Sequence, residues 1–227
     1  VYLIPTFQNP SGRTMPAQRR VEVAEVLLRT GTALVEDDPY GELRFDGKPI
    51  PPIASLPGMS AQTILLKTAS KVMAPGVRIG WLRAEGPILR SLEIAKQAVG
   101  LHSAVTDQLA VAHYLANCDL DAHIEKVNAV YRERRDAMAD GLAAVLPDGA
   151  SLTRPEGGMF LWARVGGQVD TTALLPAAVD AGIAYVPGRP FFVSDPDDTT
   201  MRLSFVTNSP QVIAEGVARL AGVFGWA

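Results

Sequence analysis

Residues 63–78 read TILLKTASKVMAPGVR, and they begin with a strand-like run of aliphatic residues. This run is short and bounded by polar residues, which predicts a buried strand. Three other segments also have strand character. The four predicted strands are Val1–Ile4, Ala33–Val35, Thr63–Lys67 and Ile79–Leu82. An amphipathic helix predicted over Met15–Arg29 separates the first two, and this alternation indicates a parallel or mixed α/β sheet.

The rest of the chain is predicted to be a helical region followed by a small mixed tail. The predicted helices are Pro87–Val99, Val105–Ala116, Leu120–Leu146, Thr171–Ala181 and Pro210–Phe224, and the later strands are Gly158–Val165, Ala184–Val186 and Met201–Val206. Residues 46–60, rich in proline and glycine, are expected to form a loop. We predict that residues 1–118 are part of a large domain, residues 119–146 a linking helix, and residues 147–227 a small α+β domain.

The composition of the chain argues against a nucleic-acid-binding protein and against a membrane-spanning protein. The chain has 227 residues, a net charge of −3 and 48% hydrophobic content, which is enough apolar material for a core and gives no basic footprint for nucleic acid. No apolar stretch is long enough for a membrane span, and the single cysteine, Cys118, fits a reducing compartment, so we expect a cytoplasmic protein. The chain begins at Val1, inside a predicted strand, which indicates a fragment of a longer protein.

Lys71 is the first candidate for chemistry. It follows the predicted strand with hydroxyls at Thr68 and Ser70 before it and a guanidinium at Arg78 after it. Two hydroxyl donors and the N–H donors of one guanidinium are suited to binding a phosphate dianion. A lysine amine held beside that phosphate site is suited to forming a bond with the aldehyde of a phosphorylated aldehyde. Pyridoxal phosphate is such an aldehyde. An isolated lysine is more often a solvated surface residue, and the surrounding residues favour the functional interpretation here.

Asp37 and Tyr40 follow another predicted strand in the run Glu-Asp-Asp-Pro-Tyr-Gly, residues 36–41. On composition alone this run is equally typical of a turn. The functional interpretation is that Asp37 keeps a pyridine nitrogen protonated, so that the ring draws electrons from the substrate Cα. Tyr40 would then donate to the ring oxygen beside the lysine.

Asn9 and Arg202 are the last two candidates. Asn9 lies in Asn-Pro-Ser-Gly, which is a common turn, and its amide could donate to the same ring oxygen. Arg202 alternates along its strand with Thr200 and Ser204, and its fork could bind a substrate α-carboxylate bidentately. The alternative for Arg202 is an edge-strand residue paired with a surface carboxylate.

Together these motifs resemble the class I and II aminotransferases of pyridoxal-phosphate fold type I, in the branch of 2-aminoadipate and broad-specificity enzymes. The resemblance is carried by Pro5–Gly12, Glu36–Phe45, Thr68–Trp81, Arg154–Phe160, Val186–Phe192 and Arg202–Phe205. It implies the C-terminal part of the large mixed-sheet cofactor domain plus a small α+β domain. It also implies a homodimer that acts on an amino acid and a 2-oxo acid, with no nucleic acid, membrane or metal partner.

The resemblance implies a role for each candidate residue. Lys71 would bond the cofactor aldehyde and act as catalytic base and acid, while Asp37 would contact the pyridine nitrogen. The ring oxygen would be bound by Asn9 and Tyr40, the phosphate by Thr68, Ser70 and Arg78, and the substrate carboxylate by Arg202. The chain departs from the family in having Ala69 where this branch carries phenylalanine, and in lacking the family's N-terminal half.

Two other functions remain open at this point. The first is a different pyridoxal-phosphate reaction on the same fold, such as elimination or decarboxylation. The second is the cofactor-sensing domain of a DNA-binding regulator, although such regulators usually carry a His-Gln and Phe-Pro or Tyr-Pro variant of the loop around Asn9.

Overall fold

A computed structural model describes residues 1–226. Two compact units divide the chain. The first unit contains residues 1–6 and 14–126, and the second contains residues 7–13 and the described chain from Val127 onward. Within the described residues, no helix combines the length and apolar character that crossing a membrane requires.

The first unit is built on a four-stranded mixed sheet, as predicted. Its strands are β1 (Tyr2–Leu3), β2 (Leu34–Asp37), β3 (Thr63–Thr68) and β4 (Gly80–Arg83). Their spatial order is β1-β2-β3-β4, with the first two pairings parallel and the last antiparallel. A helix connects β1 to β2, which is the kind of crossover that parallel neighbours require. The polar ends of β2 and β3 therefore lie side by side, with Asp37 opposite Leu66.

Four α-helices of the described chain belong to this unit. They are α1 (Ala17–Thr30), α2 (Ala69–Val72), α3 (Gly86–Gly100) and α4 (Val105–Asn117), and α5 (Leu120–Val145) runs from the first unit into the second. Gly31 ends α1 in a left-handed conformation with φ 63°, and its N–H bonds the last carbonyls of the helix. The apolar face of α1 packs in a core formed by Ala24, Leu27, Leu34, Ile53 and Met59.

The predicted loop over residues 46–60 is partly wrong. A 3-10 turn forms at Ile53–Ser55, and a second begins at Ser60. The first turn is held by the buried carboxylate of Glu36, which accepts the backbone N–H groups of Ile53 at 2.9 Å and Ala54 at 2.8 Å. A carboxylate on a neighbouring strand thus satisfies the N–H groups of the turn, and residue composition does not reveal such a long-range partner.

The second unit is a four-stranded antiparallel sheet with two helices of its own. Its elements are β5 (Ser151–Leu152), β6 (Phe160–Arg164), α6 (Thr171–Asp180), β7 (Val186–Pro187), β8 (Thr200–Ser204) and α7 (Pro210–Phe224). The strand order is β5-β6-β8-β7. The alternation predicted for β8 is observed in part: Met201 and Leu203 are buried, Arg202 is half-buried and Ser204 is exposed, but Thr200 is buried as well. The short strand β5 was not predicted, since two residues carry no periodic signal.

The loop of residues 7–13 belongs to the second unit and is packed closely there. Phe7 is buried, and its Cβ lies 2.5 Å from where a side chain on Gly158 would begin. Gly158 has φ 74° as well, so a glycine is required on both conformational and steric grounds. This contact fixes the start of the loop that carries Asn9.

Candidate active site

Lys71 lies in the single helical turn α2, which directly follows β3. The strand β3 ends at Thr68, whose hydroxyl accepts the N–H of Ser70 at 3.1 Å and so caps α2. Lys71 is the third residue of this turn and is half-buried. A threonine at the N-cap favours a helix over further strand, and this local competition ends β3 at Thr68.

The predicted phosphate ligands are neighbours within this segment but are engaged to different degrees. The Thr68 hydroxyl is used by the cap and also lies 3.4 Å from the Ile79 carbonyl oxygen. Arg78 is exposed, has φ 47°, and donates from one nitrogen to the Pro75 carbonyl at 3.2 Å. Among residues 1–226, no hydrogen bond or ion pair engages the Ser70 hydroxyl or the Lys71 amine.

Lys67, four residues earlier, has a different environment. Its amine contacts Asp38 at 2.7 Å and Glu42 at 2.8 Å, and only a fifth of its side chain is exposed. Burial alone would lower the pKa of Lys67, but the two carboxylates outweigh it and raise the pKa above its ordinary value. Lys67 is therefore a structural ion-pair partner of the β2–β3 region.

Asp37 is the last residue of β2 and is half-buried. Its Oδ2 accepts a hydrogen bond of 2.5 Å from the hydroxyl of Tyr2 on the neighbouring strand. Tyr40, three residues further on, is buried, with 6% of its surface exposed. The turn and functional interpretations of this run are thus compatible, because Asp37 ends a strand and the residues after it form the turn.

In the second unit, the structure brings Asn9 and Arg202 together. A guanidinium nitrogen of Arg202 donates to Asn9 Oδ1 at 2.6 Å, and the guanidinium carbon lies 4.2 Å from the centre of the Phe160 ring. The strand β8 is internal to its sheet, so the edge-strand interpretation of Arg202 is wrong. The contact uses the oxygen of the Asn9 amide as the acceptor.

Two side-chain contacts of the first unit were not predicted from sequence. The Tyr2–Asp37 contact depends on the register of β1 against β2, which no residue pattern reports. The Lys67–Asp38 pair depends likewise on the register of β2 against β3. Within residues 1–226, no group of three or more histidine, cysteine, aspartate or glutamate side chains is arranged to hold a metal ion.

The chain matches one protein family along nearly its whole length. The family described as aminotransferase class I and II covers residues 1–220. The chain therefore belongs to the class I and II aminotransferase family.

One relative and one solved structure show how close the match is. Aromatic-amino-acid aminotransferase 1 of Thermococcus litoralis is 46% identical over 221 residues, covering 97% of this chain and 53% of the relative. The structure of the α-aminoadipate aminotransferase LysN of Thermus thermophilus, complexed with N-(5'-phosphopyridoxyl)-L-leucine, has a TM-score of 0.93 at 36% identity. The match covers 99% of this chain and 58% of that protein, which confirms the predicted fold type I architecture and branch. The chain thus spans a little over half the length of each.

A protein described as a transcriptional regulator also matches, at lower identity. The uncharacterized HTH-type transcriptional regulator YisV of Bacillus subtilis is 29% identical over 205 residues, covering 90% of this chain and 42% of the regulator. The aminotransferase of Thermococcus litoralis is more similar and covers more of the chain.

Proposed function

We propose that the protein containing this chain is an aminotransferase that moves an amino group between an amino acid and a 2-oxo acid. The family membership implies pyridoxal 5'-phosphate as the cofactor. The observation that carries the proposal is the contrast between two lysines on one segment. Lys67 is paired with two carboxylates, whereas the amine of the half-buried residue Lys71 is engaged by none of the residues from 1 to 226.

The residues present fit this cofactor. Ser70 and Arg78 offer a hydroxyl and a guanidinium for the phosphate, and Lys71, between them in sequence, offers the amine for the aldehyde. Asp37 supplies a carboxylate for the pyridine nitrogen. The Thr68 hydroxyl is committed to the α2 cap, so we assign it to shaping the phosphate-binding turn, with a phosphate contact as a second role.

Four side chains of this chain would act with the cofactor. When bound, pyridoxal phosphate supplies a carbonyl that bonds amines and a ring that withdraws electrons from the substrate Cα. Lys71 would be the base and then the acid that moves the proton between the substrate Cα and the cofactor C4′. Asp37 would keep the pyridine nitrogen protonated, and the side chains of Tyr40 and Asn9 would donate to the ring oxygen.

Arg202 is proposed to bind the substrate α-carboxylate. Its guanidinium faces the Phe160 ring at 4.2 Å and is bonded to Asn9, so two contacts restrict the orientation of the planar fork. A fork held in one orientation loses less entropy when it pairs with a planar carboxylate. The same hydrogen bond sets the orientation of the Asn9 amide, which links substrate recognition to cofactor binding.

Borohydride trapping of the naturally produced protein tests the proposal. Reduction in the presence of pyridoxal phosphate should place a pyridoxyl group on the peptide that contains Lys71. Lys71→Ala should lose the adduct and all amino transfer. The matched control Lys67→Arg should keep both, because its charge and partners are retained. An unlabelled Lys71 in the cofactor-supplemented protein, or turnover by Lys71→Ala, would refute the assignment.

The similarity to YisV keeps a regulator as the second candidate. A regulator would be labelled at Lys71 but would not transfer amino groups, and it would bind DNA in a cofactor-dependent manner. Measuring release of ammonia or carbon dioxide in the same assay separates transfer from elimination and decarboxylation.

We propose three further properties of the protein. The family resemblance supports a homodimer, and the single cysteine supports a cytoplasmic location. The helix α5 supports domain limits at residues 118 and 146.

A further inference from the structure

Tyr2 and Asp37 meet across two parallel strands. The register places Tyr2 opposite Val35, and Asp37 is two residues further along β2. Because side chains two residues apart lie on the same face of a strand, Tyr2 and Asp37 share a face and are diagonal neighbours. The Tyr2 hydroxyl donates to Asp37 Oδ2 at 2.5 Å. This distance is at the short end for a hydroxyl bonded to a carboxylate.

We propose that Tyr2 is a positioning residue for the cofactor. Its hydroxyl holds Asp37 Oδ2, so that Oδ1 keeps a fixed direction and receives the N–H of the protonated pyridine ring. This inference rests on the proposed function, because it concerns the carboxylate assigned to pyridoxal phosphate. It adds a second residue, on a different strand, that acts on the cofactor only through Asp37.

Charge and hydrogen bonding explain why a tyrosine suits this role. An ionised carboxylate that accepts a hydrogen bond is stabilised in its charged form, and the charged form is what holds a protonated pyridine. Partial burial, followed by the hydrogen bond and the negative charge of Asp37, raises the pKa of Tyr2 to about 12. The hydroxyl therefore remains protonated, and remains a donor, throughout the neutral and mildly alkaline range.

The position of Tyr2 makes the idea testable without unfolding the protein. Tyr2 is 56% exposed in the described chain, and it is absent from the core cluster around α1. Tyr2→Phe keeps the ring and removes only the hydroxyl. Tyr185→Phe is the matched control, because it also removes one tyrosine hydroxyl hydrogen bond, that to the Thr171 carbonyl at 2.6 Å in the second unit.

The experiment measures the affinity of the naturally produced protein for pyridoxal phosphate by reconstituting the apoenzyme. We expect Tyr2→Phe to bind the cofactor about tenfold more weakly, from the loss of one hydrogen bond to a charged group. Nitrogen-15 NMR of the labelled pyridine nitrogen should show that it loses its proton at a lower pH than in the parent protein. Tyr185→Phe should change neither quantity.

A double-mutant cycle separates positioning from a general structural role. If Tyr2 acts through Asp37, Tyr2→Phe should weaken cofactor binding in the parent protein but have little further effect in the Asp37→Asn background. Equal effects in both backgrounds, or unchanged affinity and NMR titration in Tyr2→Phe, would overturn the inference. A parent protein that forms no Lys71 adduct would instead refute the proposed function, so the two failures are distinguishable.

Discussion

Two charged regions of the first unit differ in how completely their polar groups are satisfied. Arg20 is 2% exposed, and all five of its N–H donors are used. The acceptors are the carbonyl oxygens of Pro5, Met15, Ile50 and Pro51 and the hydroxyl of Thr6. In the segment of residues 68–78, by contrast, the Arg78 guanidinium uses one donor, and the Lys71 amine and the Ser70 hydroxyl use none within residues 1–226.

The contrast indicates which charges serve the fold and which are available for a ligand. A buried polar group must be paired within the protein, because leaving it unpaired costs more than a hydrogen bond contributes. Burial lowers the pKa of Arg20, which shows how far its environment departs from water despite the negative charge of Glu36 nearby. The open donors of residues 70–78 face no such requirement and can be satisfied by a bound anion.

The largest expected effect on stability comes from removing Arg20, whose five N–H donors are all hydrogen-bonded. Arg20→Ala leaves five acceptors without their donor in a buried site, so we expect the free energy of unfolding to fall by about 3–5 kcal/mol. Urea denaturation followed by circular dichroism measures this change. The adjacent Arg19 is the control, because its exposed pair with Glu22 at 2.9 Å should contribute less than about 0.5 kcal/mol. Similar losses from Arg19→Ala and Arg20→Ala would contradict the distinction.

The second prediction compares two lysines four residues apart. Lys67→Met removes the partner of Asp38, a buried carboxylate, and should lower the free energy of unfolding by about 1–3 kcal/mol. Lys71→Met should change it by less than about 0.5 kcal/mol in the cofactor-free protein, since its amine has no partner to lose within residues 1–226. Urea titrations of the two apoenzyme variants make the comparison, and a larger loss from Lys71→Met would reverse our assignment of their roles.

The sequence predicted the elements of the fold more fully than the contacts of the site. The helix α7 was predicted at its observed limits, because Ser209, Pro210 and Gly225 mark its ends with standard capping residues. The mixed sheet followed from the alternation of strands and helices. These signals are local, so a single sequence contains them.

The site was predicted only as a set of residue types. Lys71, Asp37, Asn9 and Arg202 were selected because their chemistry suits a phosphorylated aldehyde and an α-carboxylate. The partner of each depends on strand register or on a loop contact distant in sequence, such as the 193 residues between Asn9 and Arg202. A hydroxyl such as that of Thr68 can serve a cap or a ligand, and only its observed contact with Ser70 shows the cap.

The smallest expected effect on stability concerns Asp197, a carboxylate of the second unit whose oxygens accept hydrogen bonds and form an ion pair. Asp197 accepts the Thr199 hydroxyl at 2.6 Å and backbone N–H at 3.1 Å, and it pairs with Arg164 at 2.7 Å. Burial acts to raise the pKa of Asp197, but these three contacts outweigh it and lower the pKa below the ordinary 3.8. A lowered pKa means that the folded state binds the proton less tightly than the unfolded state, so the ionised carboxylate stabilises the fold.

Asp197→Asn should therefore lower the free energy of unfolding by about 1 kcal/mol at neutral pH. The difference from the parent protein should be constant above the ordinary pKa of an aspartate and should shrink as the pH falls through the lower pKa of the folded state, because protonation then removes the same charge from the parent. Urea titrations at intervals between about pH 3 and pH 7 measure the difference directly. A difference in the free energy of unfolding that stays constant over that whole range would show that the charge of Asp197 does not contribute to stability. In that case, hydrogen bonds to an ionised carboxylate would not distinguish a structural carboxylate such as Asp197 from Asp37.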